Sequence, residues 1–451
     1  MTTIDAIRPV PGAWPILGHT PHLLRDPLGF VRSLPAYGDL VEIRIAAQKV
    51  IVVCDPSLTR HVLGSDRIYD KGGRMFDRLR EVAGSGIGGC PHADHRRQRR
   101  AVQRAFAPSR IPTYAVAMTA QSRHMTDSWS DGQLIDVYDE THHLITLIAI
   151  TTLFADSITA GRLTEAEKDV RTVMSGIYRR MITPAALSHL PTPGGLRYDR
   201  ARARLRDLIR MIIAERRATG ADHDDLLSEI VTPPSAQHTA LSDTEIEDQV
   251  MTFFLAGVET SANTLAWTMY LLARHPEIQH RLHKEIDTVL TGRPVTTADL
   301  PDLPLTGRIV TESLRLYPPG WFLTRMTTTE TRLAGSPLPA GSVLAYSPYL
   351  IHHRPDVVPR PETFDPDRWN DHTSALDPRS AILPFSSGPR KCIGDTFAVT
   401  EMCIALASIC ARFTLQSVSN RPVRPALSAQ LHPRKFRLRV ATRETAPRTP
   451  H

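Results

Sequence analysis

The chain has 451 residues, of which 41% are hydrophobic and 22% charged, a balance that is typical of a folded globular protein and excludes a disordered one. The net charge of +7 permits nucleic-acid binding, but no nucleic-acid-reading motif is present. Five cysteines without a Cys-x-x-Cys pair argue against a disulfide framework or a zinc ribbon. The N-terminus has no apolar core, and the longest uncharged apolar stretch, 144–155, is too short to span a bilayer. We therefore expect a cytoplasmic protein without a membrane anchor.

The N-terminal quarter of the chain is rich in proline and glycine and carries strand patterns. Residues 40–45 alternate apolar and polar side chains, which predicts a strand, and 49–53 reads as its hairpin partner. The glycine-rich segment 84–89 predicts a loop.

The middle of the chain, from about residue 95 to 315, has mainly helical patterns. The segment 224–227 opens one helix. Ser242 and Glu245 form a capping box, and apolar and small residues follow it to about Ala273. This predicts a helix of about 30 residues that runs through the centre of the molecule.

After residue 318 prolines return, and we predict short strands at 332–338 and 342–345. No internal repeat or low-complexity linker divides the chain, so we predict one large domain over 1–451. Its fold class is mainly α with a small β-rich part. The β-rich part is expected at about 35–60 and 320–360 plus C-terminal strands, and the helical part at about 90–315 and 392–412.

The strongest chemical signal lies between Phe385 and Gly394, which fits the pattern Phe-x-x-Gly-x-Arg-x-Cys-x-Gly. This frame predicts a haem-thiolate loop in which Cys392 ligates the iron. Gly388 and Gly394 would let the backbone approach the macrocycle, and Arg390 would pair with a haem propionate. The alternative, a buried cysteine at the start of a helix, does not explain the ten-residue frame.

With this motif the chain resembles the cytochrome P450 family, and the resemblance extends over almost its whole length. Residues 256–261 are similar to the oxygen-binding segment of that family. The resemblance implies that Gly257 leaves room over the haem, that Thr260 acts in oxygen activation and that Glu259 delivers protons. Without the cysteine motif, a threonine bonded back to a carbonyl and a glutamate on a solvated face would be the preferred interpretation.

Glu312 and Arg315 match the Glu-x-x-Arg motif of the family, and Arg368 lies in a segment that resembles the partner of this motif. The resemblance implies a buried charged triad that holds the cysteine loop and has no catalytic role. On its own, Glu-x-x-Arg predicts only an exposed salt bridge between residues three apart on a helix.

His95 and Arg99, within a basic run at 95–100, resemble the helix that lies beside the haem propionates in the family. Arg325 resembles a further propionate-binding arginine. The alternative is that the run forms a solvated basic face. We expect both interpretations to apply, with His95 and Arg99 facing the haem and Arg96, Arg97 and Arg100 partly facing solvent.

The resemblance implies haem b as cofactor and O2 as co-substrate. No Gly-x-Gly-x-x-Gly follows a strand, so we expect the electrons to come from a separate ferredoxin and an NAD(P)H-dependent ferredoxin reductase. Lys391 and the basic run at 96–100 would steer an acidic ferredoxin. The Glu259–Thr260 pair argues against a peroxide-driven enzyme.

The substrate contacts implied by the resemblance are mostly apolar, and for each of them a plain core role is the alternative. Such a pocket favours a neutral hydrophobic substrate over a fatty acid. Segments 178–181, 213–217 and 321–325 are similar to those of actinomycete sesquiterpene oxidases, which implies a terpenoid of bacterial secondary metabolism. A hydroxylase of fatty acids, other lipids or polyketides, and a non-catalytic haem-binding protein, are the alternatives. The pocket candidates are Phe76, Ile87, Met174, Ile177, Phe253, Ala256, Trp321, Phe322 and Leu323.

Overall fold

Helices make up most of the structure, a computed structural model that describes residues 7–154, 160–182, 192–220, 224–231, 241–370, 382–427 and 430–443. The α-helices of this part are α1 Thr20–Arg25, α2 Pro27–Ser33, α3 Pro56–Gly64, α4 Arg74–Ala83, α5 His92–Val102, α6 Ile111–Asp127, α7 Val137–Phe154, α8 Ala160–Ile182, α9 Pro193–Thr219, α10 Leu226–Val231, α11 Asp243–Arg274, α12 Pro276–Leu290, α13 Pro304–Leu316, α14 Pro348–His352 and α15 Asp395–Arg412. The strands are β1 Arg8–Pro9, β2 Leu40–Ile45, β3 Gln48–Val53, β4 Tyr69–Asp70, β5 Leu134–Asp136, β6 Leu323–Thr327, β7 Thr331–Leu333, β8 Ser336–Leu338, β9 Val343–Tyr346, β10 Phe413–Ser417, β11 Pro425–Leu427, β12 Leu431–Pro433 and β13 Arg437–Thr442.

The main sheet joins segments from both halves of the chain in the order β1-β2-β3-β9-β6-β4. The predicted hairpin is confirmed, with Leu40 opposite Val53 in the antiparallel β2–β3 pair. Strand β9 then adds in parallel to β3, with Leu344 beside Ile51. This pairing builds the β-rich part from residues almost 300 positions apart.

One predicted strand is wrong in detail, and several elements were missed. Residues 332–338 form the two strands β7 and β8 rather than one, because Ala334 and Gly335 take positive φ angles of 47° and 80° and reverse the chain. Strand β5 interrupts the region predicted as helical, where it pairs with β13 and buries Ile135. Helices α1 to α4 lie in the first 90 residues, for which only strands and loops were predicted.

The long helix α11 is the centre of the helical part, as predicted. Its capping box is present, since the Ser242 hydroxyl accepts from the Glu245 N–H at 3.2 Å and the Glu245 carboxylate accepts from the Ser242 N–H at 2.9 Å. The helix runs for 32 residues, and most of its side chains are buried against α7, α9, α13 and α15. It ends at Arg274 because Pro276 lacks the N–H that a further turn needs and begins α12 instead.

No helix in the described ranges is both long and apolar enough to cross a membrane.

Candidate active site

A cavity of about 460 Å³ lies between α11, α4, the start of β6 and the loop that precedes α15. Cys392 lines it from that loop, and Gly257 and Thr260 line it from α11. The site predicted from two distant motifs is therefore brought together in one space. Most of the remaining wall is apolar, with Met75, Phe76, Leu79, Phe106, Ile177, Phe253, Leu255, Leu323, Phe385 and Phe397 among its residues.

The cysteine loop is held by backbone contacts that depend on one glycine. Gly388 has a φ of +71°, and a Cβ at this position would stand 2.3 Å from the Leu63 carbonyl oxygen, so no other residue fits without a shift. The N–H of Cys392 donates to the Phe385 carbonyl at 3.0 Å. Gly394 was expected to let the backbone approach the macrocycle, and a Cβ there would make an ordinary 3.5 Å contact with the ring of Phe106.

Cys392 lies deep in the molecule, and its side chain is nevertheless accessible because it faces the cavity. Burial raises the pKa of its thiol, whereas a hydrogen bond from the Gly394 backbone N–H and the positive charges of Lys71 and Arg99 lower it. Burial and the nearby Asp395 carboxylate outweigh these three groups, so the pKa of the thiol is raised, whereas the thiolate is the form that binds a metal ion.

A group of cations lies next to the loop and was only partly predicted. Lys71, which the sequence motifs did not indicate, lines the cavity and donates to the Gly88 carbonyl at 2.8 Å. Burial, followed by the charges of Arg325 and Arg390, lowers the pKa of Lys71 to about 7. Burial together with Arg390, Lys71 and Arg99 lowers the pKa of His95 to about 3. Several positive charges thus share one partly buried region.

The arginines of this group have different partners. Arg390 lines the cavity and donates to Asp66 at 2.9 Å and to Asp70 at 2.7 Å, so two carboxylates already balance its charge, and its pairing with a haem propionate stays a prediction. Arg325 donates to the Thr324 carbonyl at 2.9 Å and has no carboxylate partner in the described part of the chain. Arg99 donates to the Lys391 carbonyl at 2.7 Å and so contacts the cysteine loop directly. Neither Arg99 nor His95 lines the cavity.

The segment around Thr260 combines features of both interpretations of the sequence. The Thr260 hydroxyl lines the cavity and also donates back to the Ala256 carbonyl at 2.6 Å. A Cβ at Gly257 would meet no atom within 4 Å, so this residue leaves open space on the cavity wall. Glu259 is half-buried rather than solvated, and burial raises the pKa of its carboxyl group to about 7. It does not line the cavity with Thr260 but lies near Tyr138, whose pKa its charge raises.

Comparison with known proteins places this site in a family, since the family model described as "Cytochrome P450" matches residues 9–440. The chain belongs to the cytochrome P450 family. This P450 is 45% identical over 413 residues to cyclooctat-9-en-7-ol 5-monooxygenase of Streptomyces melanosporofaciens, which covers 90% of this chain and 89% of that protein. It is 43% identical over 435 residues to pentalenene oxygenase of Streptomyces avermitilis, which covers 96% of this chain and 97% of that protein.

A third relative, cyclooctatin synthase of Streptomyces melanosporofaciens, is 40% identical over 418 residues, covering 92% of this chain and 91% of that protein. The fold of this P450 is similar to a solved structure described as the crystal structure of cytochrome P450DA heme domain. That match has a TM-score of 0.87, 25% identity, and coverage of 98% of this chain and 99% of that chain. The chain is therefore a cytochrome P450 monooxygenase, an oxidoreductase that uses a haem-thiolate cofactor, O2 and redox partners.

The residues around the cavity fit such a cofactor. Cys392 offers a sulfur ligand on the cavity wall, and Gly257 leaves the wall open on α11. Arg325 is buried and Lys71 is half-buried on the cavity wall, neither has a carboxylate partner in the described ranges, and clustering such charges is unfavourable unless an anion joins them. The two carboxylates of a haem would supply that negative charge.

The predicted triad is present behind the cysteine loop. Arg315 donates to both oxygens of Glu312 at 2.8 Å, and Arg368 donates to Glu312 at 3.0 Å. Glu312 and Arg315 are fully buried. Arg315 also donates to the His352 carbonyl at 3.1 Å, and the ring of His352 accepts from the Leu383 N–H at 2.7 Å. The triad is thereby connected to the segment that leads into the cysteine loop.

The structure places five of the nine predicted substrate contacts on the cavity wall, namely Phe76, Ile177, Phe253, Ala256 and Leu323. Ile87 is instead buried in the helical core, where its N–H donates to Gln249 at 3.0 Å. Trp321 and Phe322 pack against the core of the β-rich part. The backbone of Pro319 and Gly320 forms the cavity edge there, and the chain then turns into β6. Met174 lies in α8, but its side chain is outside the described part of the structure.

Two further polar residues of the cavity wall, Glu401 and Gln430, make hydrogen bonds with side chains of α11. Glu401 in α15 is buried, and burial raises the pKa of its carboxyl group to about 8, against a hydrogen bond from Ser261 that lowers it. Gln430, next to β12, accepts from Asn263 of α11 at 3.3 Å. The resemblance implies substrate contacts in the segment 430–432, which contains Gln430, whereas nothing in the sequence singles out Glu401.

Proposed function

We propose that this P450 inserts one oxygen atom of O2 into an unactivated C–H bond of a neutral terpenoid. The observation that carries this proposal is the apolar cavity wall on the side of Phe253, Leu255 and Thr260, where a hydrocarbon skeleton gains free energy by leaving water. Relatives named for pentalenene and cyclooctat-9-en-7-ol, at 43% and 45% identity, support the same substrate class. The cavity has walls from both the helical and the β-rich parts, so the two parts act as one haem domain.

In this proposal haem b is held by its iron and by its carboxylates. Cys392 supplies the thiolate ligand, and Lys71 and Arg325 pair with the propionates. When bound, the haem supplies the redox-active iron at which O2 is reduced. Arg99 and His95 act without lining the cavity, because Arg99 fixes the Lys391 carbonyl and His95 is a buried ring whose pKa burial and the charges of Arg390, Lys71 and Arg99 lower.

The proton supply is assigned to Glu259 and Thr260. One oxygen atom enters the substrate and the other leaves as water, so each turnover takes up two electrons and two protons. A carboxyl group with a pKa of about 7 both holds and releases a proton near neutral pH. The Thr260 hydroxyl faces the cavity. It passes that proton into the cavity once its own hydrogen bond to the Ala256 carbonyl has broken.

The electron donor in this proposal is a ferredoxin that is reduced by a separate NAD(P)H-dependent reductase. Arg96 and Arg100 are exposed on α5, and Arg99 of the same helix contacts the cysteine loop. These charges therefore lie close to the thiolate side of the cavity and would attract an acidic protein. Lys391 contributes less, because it already pairs with Asp395 at 2.5 Å. Charge reversal at Arg96 and Arg100 is expected to slow reduction at low salt and to reduce its salt dependence.

The first experiment is a difference spectrum of the reduced protein with and without CO. We expect a thiolate-type red-shifted Soret band that is lost in Cys392→Ser. The ferric protein is then titrated with a panel of terpenoids and fatty acids. A shift to high spin with a terpenoid and none with fatty acids supports the proposal. A shift with fatty acids alone contradicts it and assigns Lys71 or Arg325 to the substrate carboxylate.

A further inference from the structure

A row of polar side chains leads from the cavity along one side of α11. Apart from Glu259, these side chains have no part in the proton supply proposed above. Glu259 and Asn263 are four residues apart and so share one face of the helix. The Asn263 amide donates to Gln430, which lines the cavity, at 3.3 Å. The Asn263 Oδ1 atom is buried and has no hydrogen-bond partner within the described residues.

Helix α7 and strand β12 pack against α11 here and add three aromatic rings to the row. Tyr138 stacks on His142 with 3.9 Å between ring centres, and the ring of His432 is 5.8 Å from that of Tyr138. His142 Nδ1 lies 2.8 Å from the Tyr138 carbonyl and His432 Nδ1 lies 3.1 Å from the Pro433 carbonyl. Each Nδ1 therefore carries the hydrogen, which leaves both Nε2 atoms as acceptors.

His142 Nε2 is the second buried atom of this row without a partner in the described part of the chain. Such atoms are normally hydrogen-bonded, and ordered water supplies the partner where protein does not. Burial lowers the pKa values of both imidazoles, that of His142 to about 4, so both rings are neutral near pH 7. The two histidines of this row are therefore neutral hydrogen-bonding groups rather than fixed charges.

The outer end of the row reaches the surface. Asp139 accepts from Lys435 at 2.7 Å and from Arg171 at 3.3 Å, and all three side chains are exposed by 41% or more. The Lys435 ammonium lies 5.9 Å from the ring centre of Tyr138. These are the charged groups that face Tyr138 and His142 from α7, α8 and the turn after β12.

We propose that the row from Asp139 past Tyr138, His142 and His432 to Glu259 is a hydrated proton inlet. The inference rests on the proposed function, in which Glu259 gives up a proton in each turnover. A hydronium ion at the surface end protonates the Glu259 carboxylate through the intervening water, leaving a carboxylic acid and one water molecule. A separate inlet is needed because an apolar substrate that fills the cavity excludes water from that side.

The test follows the carboxyl proton directly. Infrared spectra of the ferric, substrate-bound holoenzyme are recorded after a jump from H2O to D2O. The band of protonated Glu259 is identified by its loss in Glu259→Gln, which separates it from that of Glu401. We expect its exchange with deuterium to slow at least tenfold in His142→Phe and in His432→Leu, and the solvent isotope effect on product formation to rise.

The matched control is His283→Phe. Within the described residues His283 is also buried and also has an Nε2 atom without a partner, but it lies in α12, where the nearby charged groups are Arg443 and Asp287. Wild-type exchange in this variant together with slow exchange in the other two supports the inlet. Wild-type exchange in His432→Leu overturns it, and this variant decides alone if His142→Phe does not bind haem.

Failure of the inlet and failure of the proposed function give different results. If Glu259→Gln keeps the wild-type ratio of product to NAD(P)H consumed, the proton-donating role of Glu259 is wrong. If Glu259→Gln lowers that ratio while His142→Phe and His432→Leu exchange at the wild-type rate, Glu259 keeps its role and the inlet lies elsewhere.

Discussion

The buried triad allows one prediction to be worked out in energy. The Glu312 carboxylate accepts five hydrogen bonds within the described part of the chain, two from Arg315 and one each from Arg368, Trp369 and the N–H of Asp365. Glu312→Gln removes the negative charge and turns one acceptor oxygen into a donor. Arg315 is then left as a fully buried cation without a counter-charge, which costs about 3–5 kcal/mol.

That loss of stability is measurable. With about 2.1 cal/mol/K of unfolding entropy per residue, a chain of this length has roughly 0.95 kcal/mol/K, so the melting temperature is expected to fall by about 3–5 °C. Chemical denaturation of the holoenzyme checks the free energy, and the reduced-CO spectrum shows whether the cysteine loop survives. Asp367→Asn is the control, because Asp367 is 41% exposed in its pair with Arg281 and its loss should cost less than about 1 kcal/mol. Equal effects of the two substitutions would refute the reasoning.

Four further predictions follow from single features. Lys71→Met removes a cation from the proposed propionate site and should weaken haem binding by the protein at least about tenfold. Haem transfer to an acceptor globin measures this affinity, and an unchanged affinity would show that Lys71 does not bind a propionate. Gly388→Ala forces a Cβ to 2.3 Å from the Leu63 carbonyl oxygen and should destabilise the loop by at least ~2 kcal/mol, seen as low haem content at purification. Because the pKa of Glu259 is raised to about 7, the wild-type ratio of product to NAD(P)H should fall between pH 6 and pH 8, and Glu259→Gln should give a low ratio without that dependence. Five buried histidines have pKa values lowered to about 3 or 4, so the unfolded chain binds more protons than the folded one below pH 6.5. Stability should therefore be lost as the pH falls, by roughly 6 kcal/mol per unit near pH 5.5, and a denaturation series that shows less than one proton taken up contradicts this; the residues are His95, His142, His283, His352 and His353.

The features that the sequence predicted well are those whose geometry is set locally. The capping box of α11 depends on Ser242 and Glu245 only, and the hairpin of β2 and β3 depends on alternation over a few residues. The cysteine loop depends on a short frame in which Gly388 takes a conformation that other residues avoid. In each case the residues that determine the structure are neighbours in the chain, so the pattern can be read without knowledge of the fold.

Lys71 shows why the rest of the site was missed. Its role depends on Arg325 of β6 and on Arg390 of the cysteine loop, and β4 brings it beside β6 by pairing Asp70 with Met326. No spacing in the sequence connects positions 71, 325 and 390. The resemblance also implied substrate contacts at Trp321 and Phe322, whereas the turn into β6 packs both side chains against the core of the β-rich part.

Glu259 and Thr260 are adjacent in the sequence but lie on different sides of α11, because successive residues of a helix are about 100° apart. Thr260 faces the apolar cavity, whereas Glu259 lies beside Tyr138 on the polar side. In the proposed function the helix therefore separates the space for an apolar substrate from the space through which protons arrive, and these two residues connect the two spaces. A substitution on the cavity wall, such as at Phe253, should consequently change which substrates bind without changing proton exchange at Glu259. A substitution at His432 should do the reverse, and this separation explains how one helix can serve an apolar substrate and a proton-consuming reaction at the same time.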